Sequence, residues 1–150
     1  MRVYLVIVDE SAESGVALRF ASVRAARTGG TLHLLALIER QPFVAFAGVQ
    51  ATISAEARSR AEALVNAAAS GLMLQDAAAP VVAVREGEAL EVVRDYLGEH
   101  PEVSALVLGA AASGNPGPLV SHFTAIAGQL RCPVYVVPGS LDAADLDRLG

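Results

Sequence analysis

A glycine-rich segment in the second half of the chain carries the residues best suited to hold an anion. Residues 109–118 read GAAASGNPGP, and Ser121 follows within the first turn of the helix expected next. Small residues let backbone N–H groups approach a phosphate, and a helix N-terminus favours negative charge. The segment therefore predicts an anion-binding turn involving Gly109, Gly114, Gly117 and Ser121. The same composition is also that of a plain connection, in which proline and glycine only shape the loop.

Asp9 is the second residue that could carry chemistry. It follows the apolar run Val3 to Val8 and precedes Ser11, a residue type that begins helices. Its carboxylate could accept hydrogen bonds from a base or a ribose. Alternatively it is a solvated strand end, or it shares the capping of the next helix with Ser11. The residues alone leave these interpretations open.

Patterns for catalysis or metal binding are sparse. His33, His100 and His122 are far apart in the sequence, and we expect each to be structural or solvated. No H-x-x-x-H, C-x-x-C or carboxylate cluster predicts a metal, and no G-x-S-x-G elbow predicts a nucleophile. Lysine is absent, which excludes a P-loop. The single cysteine, Cys132, excludes an internal disulfide, and we expect it to be buried and inert.

Short apolar runs alternating with helical patterns must position these residues. Such runs are typical of strands buried on both faces, and the alternation predicts an α/β domain with a parallel sheet and helices on both faces. The ligand site of such a sheet lies beyond the carboxyl ends of its strands, where the strand order reverses. A central first strand would put that point between strands one and four, near Asp9 and Gly109. The runs are Val3 to Val8, Leu32 to Ile38, Val81 to Val84, Ala105 to Leu108 and Val134 to Val137.

The helical patterns have recognisable starts and stops. We expect the second helix to stop at Gly71, and residues 40–51, with Phe43 and Phe46, to form a loop that covers the crevice or packs on a partner. Residues 141–147 form either a short acidic helical turn or a disordered tail. The expected helices span about Ser11 to Thr28, Ser54 to Gly71, Glu88 to Glu99 and Leu119 to Leu130.

Length and charge exclude several classes of function. The 150 residues fit a single domain, and the net charge of −5 with scattered arginines argues against nucleic-acid binding. No apolar run approaches the roughly 20 residues of a membrane helix, and the N-terminus has the pattern of a strand rather than a signal peptide. We therefore expect a cytoplasmic protein that binds no membrane.

Several segments, in order, resemble the universal stress protein family over about residues 2–138. Singly these motifs are weak, but together they are fairly specific. They are the opening strand and turn at 6–14, the second strand at 34–37, the third strand and turn at 84–88, the fourth strand at 106–109 and the closing CPVYVVP at 132–138.

This resemblance implies an adenine nucleotide α-hydrolase-like fold with strand order 3-2-1-4-5 and a C-terminal tail at 139–150. It also implies a homodimer formed by pairing of the last strands, Val134 to Val137, which would cover an apolar edge. The implied role is regulation in a stress response, without catalysis. Related hydrolases carry an S-G-G-x-D-S loop after strand one or a H-I-G-H motif, and this chain has neither.

One branch of the family binds ATP through G-x-x-G, nine residues, then G followed by Ser or Thr. Here Gly109 matches the first glycine, Ala112 stands at the second, and Val120 replaces the third before Ser121. The segment is also about two residues shorter than that pattern.

The adenosine side of the pattern is better kept. Asp9, Leu37 and Gly109, with Leu108 beside it, match positions that would hold adenosine. The resemblance thus implies an ATP or AMP site between strands one and four, with AMP accepted more easily. The alternative is a module that binds no nucleotide and acts through dimerisation or partner docking.

Overall fold

A computed structural model describes residues 1–39, 46–73 and 78–150. Within these ranges five parallel strands form one sheet in the order β3-β2-β1-β4-β5, which confirms the expected order. The chain crosses from β3 to β4 past two strands, so the order reverses beside β1. The strands are β1 (Val3–Val8), β2 (Thr31–Ile38), β3 (Val81–Glu86), β4 (Ala105–Ala110) and β5 (Val134–Pro138).

Helices cover both faces of the sheet, as the alternating pattern predicted. Tyr4, Val6 and Val8 of β1 pack in the layer of α1, α2 and α5, whereas the alternate residues Leu5 and Ile7 pack in the layer of α3 and α4. This division follows from the two-residue period of a strand. The helices are α1 (Ala12–Thr28), α2 (Ala47–Met73), α3 (Ala89–Glu99), α4 (Pro118–Ala125) and α5 (Ala143–Leu149).

Burial differs between the central and the edge strands. Every residue of β1 is buried, as predicted for a strand covered on both faces. At the edges the prediction of full burial is wrong, because Val81 and Val82 of β3 are 48% and 37% exposed and Val136 of β5 is 39% exposed. Each edge strand has a neighbour on one side only, so its apolar residues are only partly covered.

Two helix boundaries differ from those expected. Helix α2 begins at Ala47 and continues through Gly71 to Met73, so the second part of the expected loop at 40–51 is helical. Phe46 precedes it and is exposed, while Phe43 lies outside the described residues. Alanine is the best helix former, and the alanine-rich flanks carry the helix past a single glycine.

Helix α4 is shorter than expected. It ends at Ala125, and a 3₁₀ turn at Ala127–Gln129 follows because Ile126 leaves the helical conformation (φ −107°, ψ 11°). The Thr124 hydroxyl donates to the Val120 carbonyl at 2.6 Å, a back-bond that often accompanies helix bending.

The acidic tail forms a helix, which settles the choice between helix and disorder. Asp142 and Asp145 make a reciprocal capping box at the start of α5, and Leu146 is buried. Arg19 of α1 holds Asp147 through a bidentate pair at 2.9 and 3.0 Å. No helix in the described part of the chain is long and apolar enough to span a bilayer.

Candidate functional site

A crevice opens between the carboxyl ends of β1 and β4, where topology places a ligand site in open parallel sheets. It forms because α1 leaves β1 toward one face of the sheet while α4 leaves β4 toward the other. Its volume is ≈ 190 Å³. The described residues that line it are Ile7, Val8, Asp9, Ser11, Glu13, Ser14, Leu37, Glu39, Ala89, Leu108, Gly109, Pro116, Gly117, Pro118, Leu119 and Val120.

On the β1 side, a closed hydrogen-bond network fixes the turn into α1. Asp9 Oδ1 accepts from the Ser11 backbone N–H at 2.8 Å and from the Ser11 hydroxyl. Ser11 is the N-cap and accepts from Ser14 N–H at 3.2 Å, and the Ser14 hydroxyl accepts from Asp9 N–H at 3.0 Å. Asp9 therefore supports the helix cap through Oδ1, and its second oxygen remains for a ligand.

On the β4 side, Gly109 lets α1 approach the sheet. A Cβ at this position would lie 2.1 Å from the carbonyl oxygen of Glu13, far inside van der Waals contact. The glycine thus permits the first turn of α1 to pack directly on the strand end. Gly109 was predicted to bind phosphate, but the close packing of α1 on β4 explains the glycine without any ligand.

The loop between β4 and α4 uses part of its donor capacity internally. Ala111 N–H donates to the Pro116 carbonyl at 3.1 Å, and Gly117 N–H donates to Asn115 Oδ1 at 2.9 Å. Gly117 caps α4 with φ +113°, a conformation that favours glycine. The first backbone N–H groups of a helix have no acceptor within the helix. In α4 Pro118 has no N–H, so the backbone amides of Leu119 and Val120 are the ones in this position.

The charge of the crevice is negative. Asp9, Glu13 and Glu39 line it, and none of its described lining residues is an arginine. Arg60 lines a neighbouring cavity that shares Asp9, Leu37 and Glu39 with the crevice. The carboxylates of Asp9 and Glu13 repel phosphate, so this surface suits an uncharged base and ribose better than a triphosphate.

The structure brings together five of the seven residues that the sequence predicted for this site. Asp9, Leu37, Leu108, Gly109 and Gly117 line the crevice. Gly114 and Ser121 are exposed and lie outside its lining.

Two residues of the crevice lining, Glu13 and Glu39, were not predicted from the sequence. Glu39 directly follows β2, so the rule about strand carboxyl ends could have identified it. Glu13 gave no comparable signal, because it enters the crevice only through the close packing of α1 on Gly109.

Cys132 is only partly buried, so the prediction of a buried thiol is wrong, although its surroundings agree with the expected inertness. The thiol is half-buried, and this burial raises its pKa above the ordinary value, although the nearby Arg131 opposes the shift. A raised thiol pKa reduces the thiolate fraction and hence nucleophilicity.

An open parallel sheet with helices on both faces and a crevice at its reversal point defines the chain as a doubly wound α/β protein. Residues 1–138 match the model of the universal stress protein family, so the chain belongs to that family. Among curated proteins, none matches this sequence significantly.

Solved structures agree on the fold. Universal stress protein UspA from Lactobacillus plantarum is 21% identical with a TM-score of 0.76, covering 91% of this chain and 97% of that one. A universal stress protein in complex with cAMP is 17% identical with a TM-score of 0.65, covering 93% and 98%. A family member from Arabidopsis thaliana with AMP bound is 11% identical with a TM-score of 0.63, covering 96% and 94%.

Proposed function

We propose that this chain is a regulatory universal stress protein that binds an adenine mononucleotide in the crevice between β1 and β4. The observation that carries this proposal is the convergence of Asp9, Leu37, Leu108 and Gly109 on one crevice at the sheet's reversal point. Two proteins of the same fold are described with cAMP and with AMP. In this proposal Leu37 and Leu108 contact the base, and Asp9 accepts from the ribose or the base.

AMP fits the site better than ATP does. The crevice of ≈ 190 Å³ is smaller than the roughly 300–1,000 Å³ of common ligand pockets, so it holds a nucleoside more readily than a whole triphosphate. The Gly117 amide is already bonded to Asn115, and Asp9 and Glu13 add negative charge. Each further phosphate would add repulsion, and only the Leu119 and Val120 amides of the first turn of α4 would remain as donors in the described lining.

We further propose that two chains associate through β5. This strand pairs with β4 on one side, and Val136 is exposed at the sheet edge. Pairing of two β5 strands would satisfy their free backbone groups and cover apolar surface. In this proposal the protein regulates other proteins in the cytoplasm and is not an enzyme. Nucleotide binding would act by changing the surface of the dimer.

The test is to purify the protein without added nucleotide, denature it and identify released small molecules by mass spectrometry. Calorimetric titrations with AMP, cAMP, ATP and adenosine follow. We expect AMP to bind more tightly than ATP. Asp9→Asn should weaken binding, whereas Glu10→Gln, a matched change at the neighbouring carboxylate outside the crevice lining, should not. No release and no binding at millimolar nucleotide would refute the proposal.

A second candidate function is an interaction module that binds no nucleotide. Two features favour this function because both reduce phosphate binding. They are the hydrogen bond within the loop between β4 and α4 and the carboxylates that line the crevice. In that case light scattering should show a dimer whose mass and stability are unaffected by AMP. Substitution of Val136 by Glu should dissociate it while leaving the fold intact by circular dichroism.

A further inference from the structure

Three side chains that can bind metals meet at the amino end of the sheet, opposite the crevice. His33 lies near the start of β2, His100 caps the end of α3, and Glu102 follows it. One ligand atom from each can be chosen so that all three lie within 4.8 Å of one another. His33 is far from His100 and Glu102 in sequence, so no sequence motif predicted this cluster.

His33 is held rigidly in this cluster. It is 6% exposed, and its Nδ1 lies 2.7 Å from the Tyr96 hydroxyl. Tyr96 stacks on His100 with ring centroids 4.1 Å apart, and His100 meets His33 edge-on at 5.4 Å. A hydrogen bond to one ring nitrogen orients the other nitrogen, as outer-shell partners do for metal-binding histidines.

His100 and Glu102 form the accessible side of the cluster. His100 Nδ1 lies 2.8 Å from Glu102 Oε1, and their side chains are 28% and 48% exposed. Ligand atoms bound at about 2.0–2.2 Å from one zinc ion lie up to ~4 Å apart, so shifts of roughly 1 Å among these side chains would bring the set to bonding distance. Solvent access on this side provides a path for the ion.

Two arginines lie nearby, but each has another contact. Arg85 stacks over Tyr96 and pairs with Glu99 at 3.1 Å, and Arg131 approaches the His100 carbonyl at 3.5 Å. The Arg85 charge is thus compensated locally by a carboxylate.

We propose that His33, His100 and Glu102 bind a divalent transition-metal ion of the zinc class, with water completing the coordination. Two imidazoles and one carboxylate suit Zn²⁺, whereas Mg²⁺ and Ca²⁺ prefer sets made of oxygen alone. The ion replaces the His100–Glu102 hydrogen bond with two metal–ligand bonds. A proton carried by either imidazole passes to the buffer on binding.

The test uses the untagged full-length chain carrying Cys132→Ser, so that neither a tag nor the thiol binds metal. Calorimetry with ZnCl₂ should show one site per chain, and MgCl₂ should show none. Loss of outer-shell partners commonly lowers metal affinity 10–100-fold, so His100→Gln or Glu102→Gln should lower Zn²⁺ affinity by at least ~10-fold. His122→Gln changes the third histidine, which is outside the cluster, and should leave the affinity unchanged.

His33→Gln changes a buried side chain and so lowers stability as well as metal binding; the two exposed-side variants therefore keep the test decisive. Cobalt substitution gives a second measurement, since a mixed nitrogen and oxygen site produces visible absorption that the His100 variant should lose. Equal Zn²⁺ affinity in the parent, His100→Gln and Glu102→Gln proteins would overturn the proposal. Loss of binding in His122→Gln alone would overturn it as well.

Discussion

The carboxyl and amino ends of the sheet gather their polar groups in different ways. At the carboxyl end, Asp9, Ser11 and Ser14 belong to one turn, and their hydrogen bonds join neighbours in sequence. At the amino end, His33 and Tyr96 come from different elements and meet only because β2 and α3 pack together. One end is built by local backbone geometry, and the other by tertiary packing.

The two ends also differ in charge and rigidity. Three carboxylates line the crevice, whose wall includes an exposed loop stabilised by Asn115. The histidine cluster rests on Tyr96, which is 1% exposed, and on a stack of aromatic rings. The described crevice wall is thus formed by carboxylates and an exposed loop, whereas the buried half of the cluster, His33, is packed against Tyr96.

Gly109→Ala should have the largest effect and would damage the carboxyl end. Its Cβ would fall 2.1 Å from the carbonyl oxygen of Glu13, which belongs to the backbone of α1 and cannot rotate away as a flexible side chain would. Overpacking costs typically 1–3 kcal/mol, and we expect about 3 kcal/mol of lost unfolding free energy here. Urea denaturation followed by circular dichroism measures it.

Gly15→Ala is the matched control, because it lies in α1 with open space around its Cα. Alanine there should stabilise the protein by roughly 0.5–1 kcal/mol. If Gly109→Ala is as stable as the parent, close packing of α1 on β4 is not what requires this glycine.

The same contrast explains which features the sequence could predict. The parallel sheet followed from the apolar runs, and the crevice position followed from topology rules once the first strand was taken as central. The strand order followed from the family resemblance, and Ser11 was recognisable as a helix cap. These features depend on neighbours in sequence or on rules common to parallel sheets.

Features that depend on tertiary contact were not predictable in this way. The start of α2 at Ala47 and the end of α4 at Ala125 carried weak local signals, since alanine-rich flanks and a lone glycine fit several boundaries. The meeting of His33 with His100 left no pattern in the sequence, because it arises from the packing of β2 on α3.

Tyr96→Phe should have the next largest effect, at the amino end. It removes the hydroxyl paired with His33 Nδ1 and leaves that buried nitrogen without this partner. We expect a loss of about 1–3 kcal/mol in unfolding free energy. Tyr4→Phe is the control, because Thr28 also bonds to the Arg24 carbonyl and keeps a partner. A larger loss for Tyr4→Phe would contradict the importance assigned to the His33 pair.

Acidic pH should lower the free energy of unfolding through His33, at the amino end of the sheet. Burial and the charge of His100 lower the pKa of His33 below 6.5, while Glu102 opposes the shift, so folding favours the neutral ring. The contribution of His33 to the free energy of unfolding is fully present above pH 6.5. It falls as pH drops below that value, because the unfolded chain then binds a proton that the folded chain resists.

Denaturation at several pH values should therefore show a smaller loss below pH 6.5 in His33→Gln than in the parent. Arg85 and Arg131 keep their charge throughout this range and do not produce the change. Parallel curves for the two proteins would show that another group governs the acid response.

Asn115→Ala should have the smallest effect on stability and tests whether the loop limits phosphate binding. It frees the Gly117 N–H, now bonded to Asn115 Oδ1, at the mouth of the crevice. One exposed hydrogen bond contributes about 0.5–1.5 kcal/mol, so stability should fall by no more than that. If AMP binds as proposed, one new donor should raise its affinity by roughly 5-fold, equivalent to about 1 kcal/mol. Adenosine, which has no phosphate, should bind with unchanged affinity, and an equal gain for both ligands would place the phosphate away from Gly117.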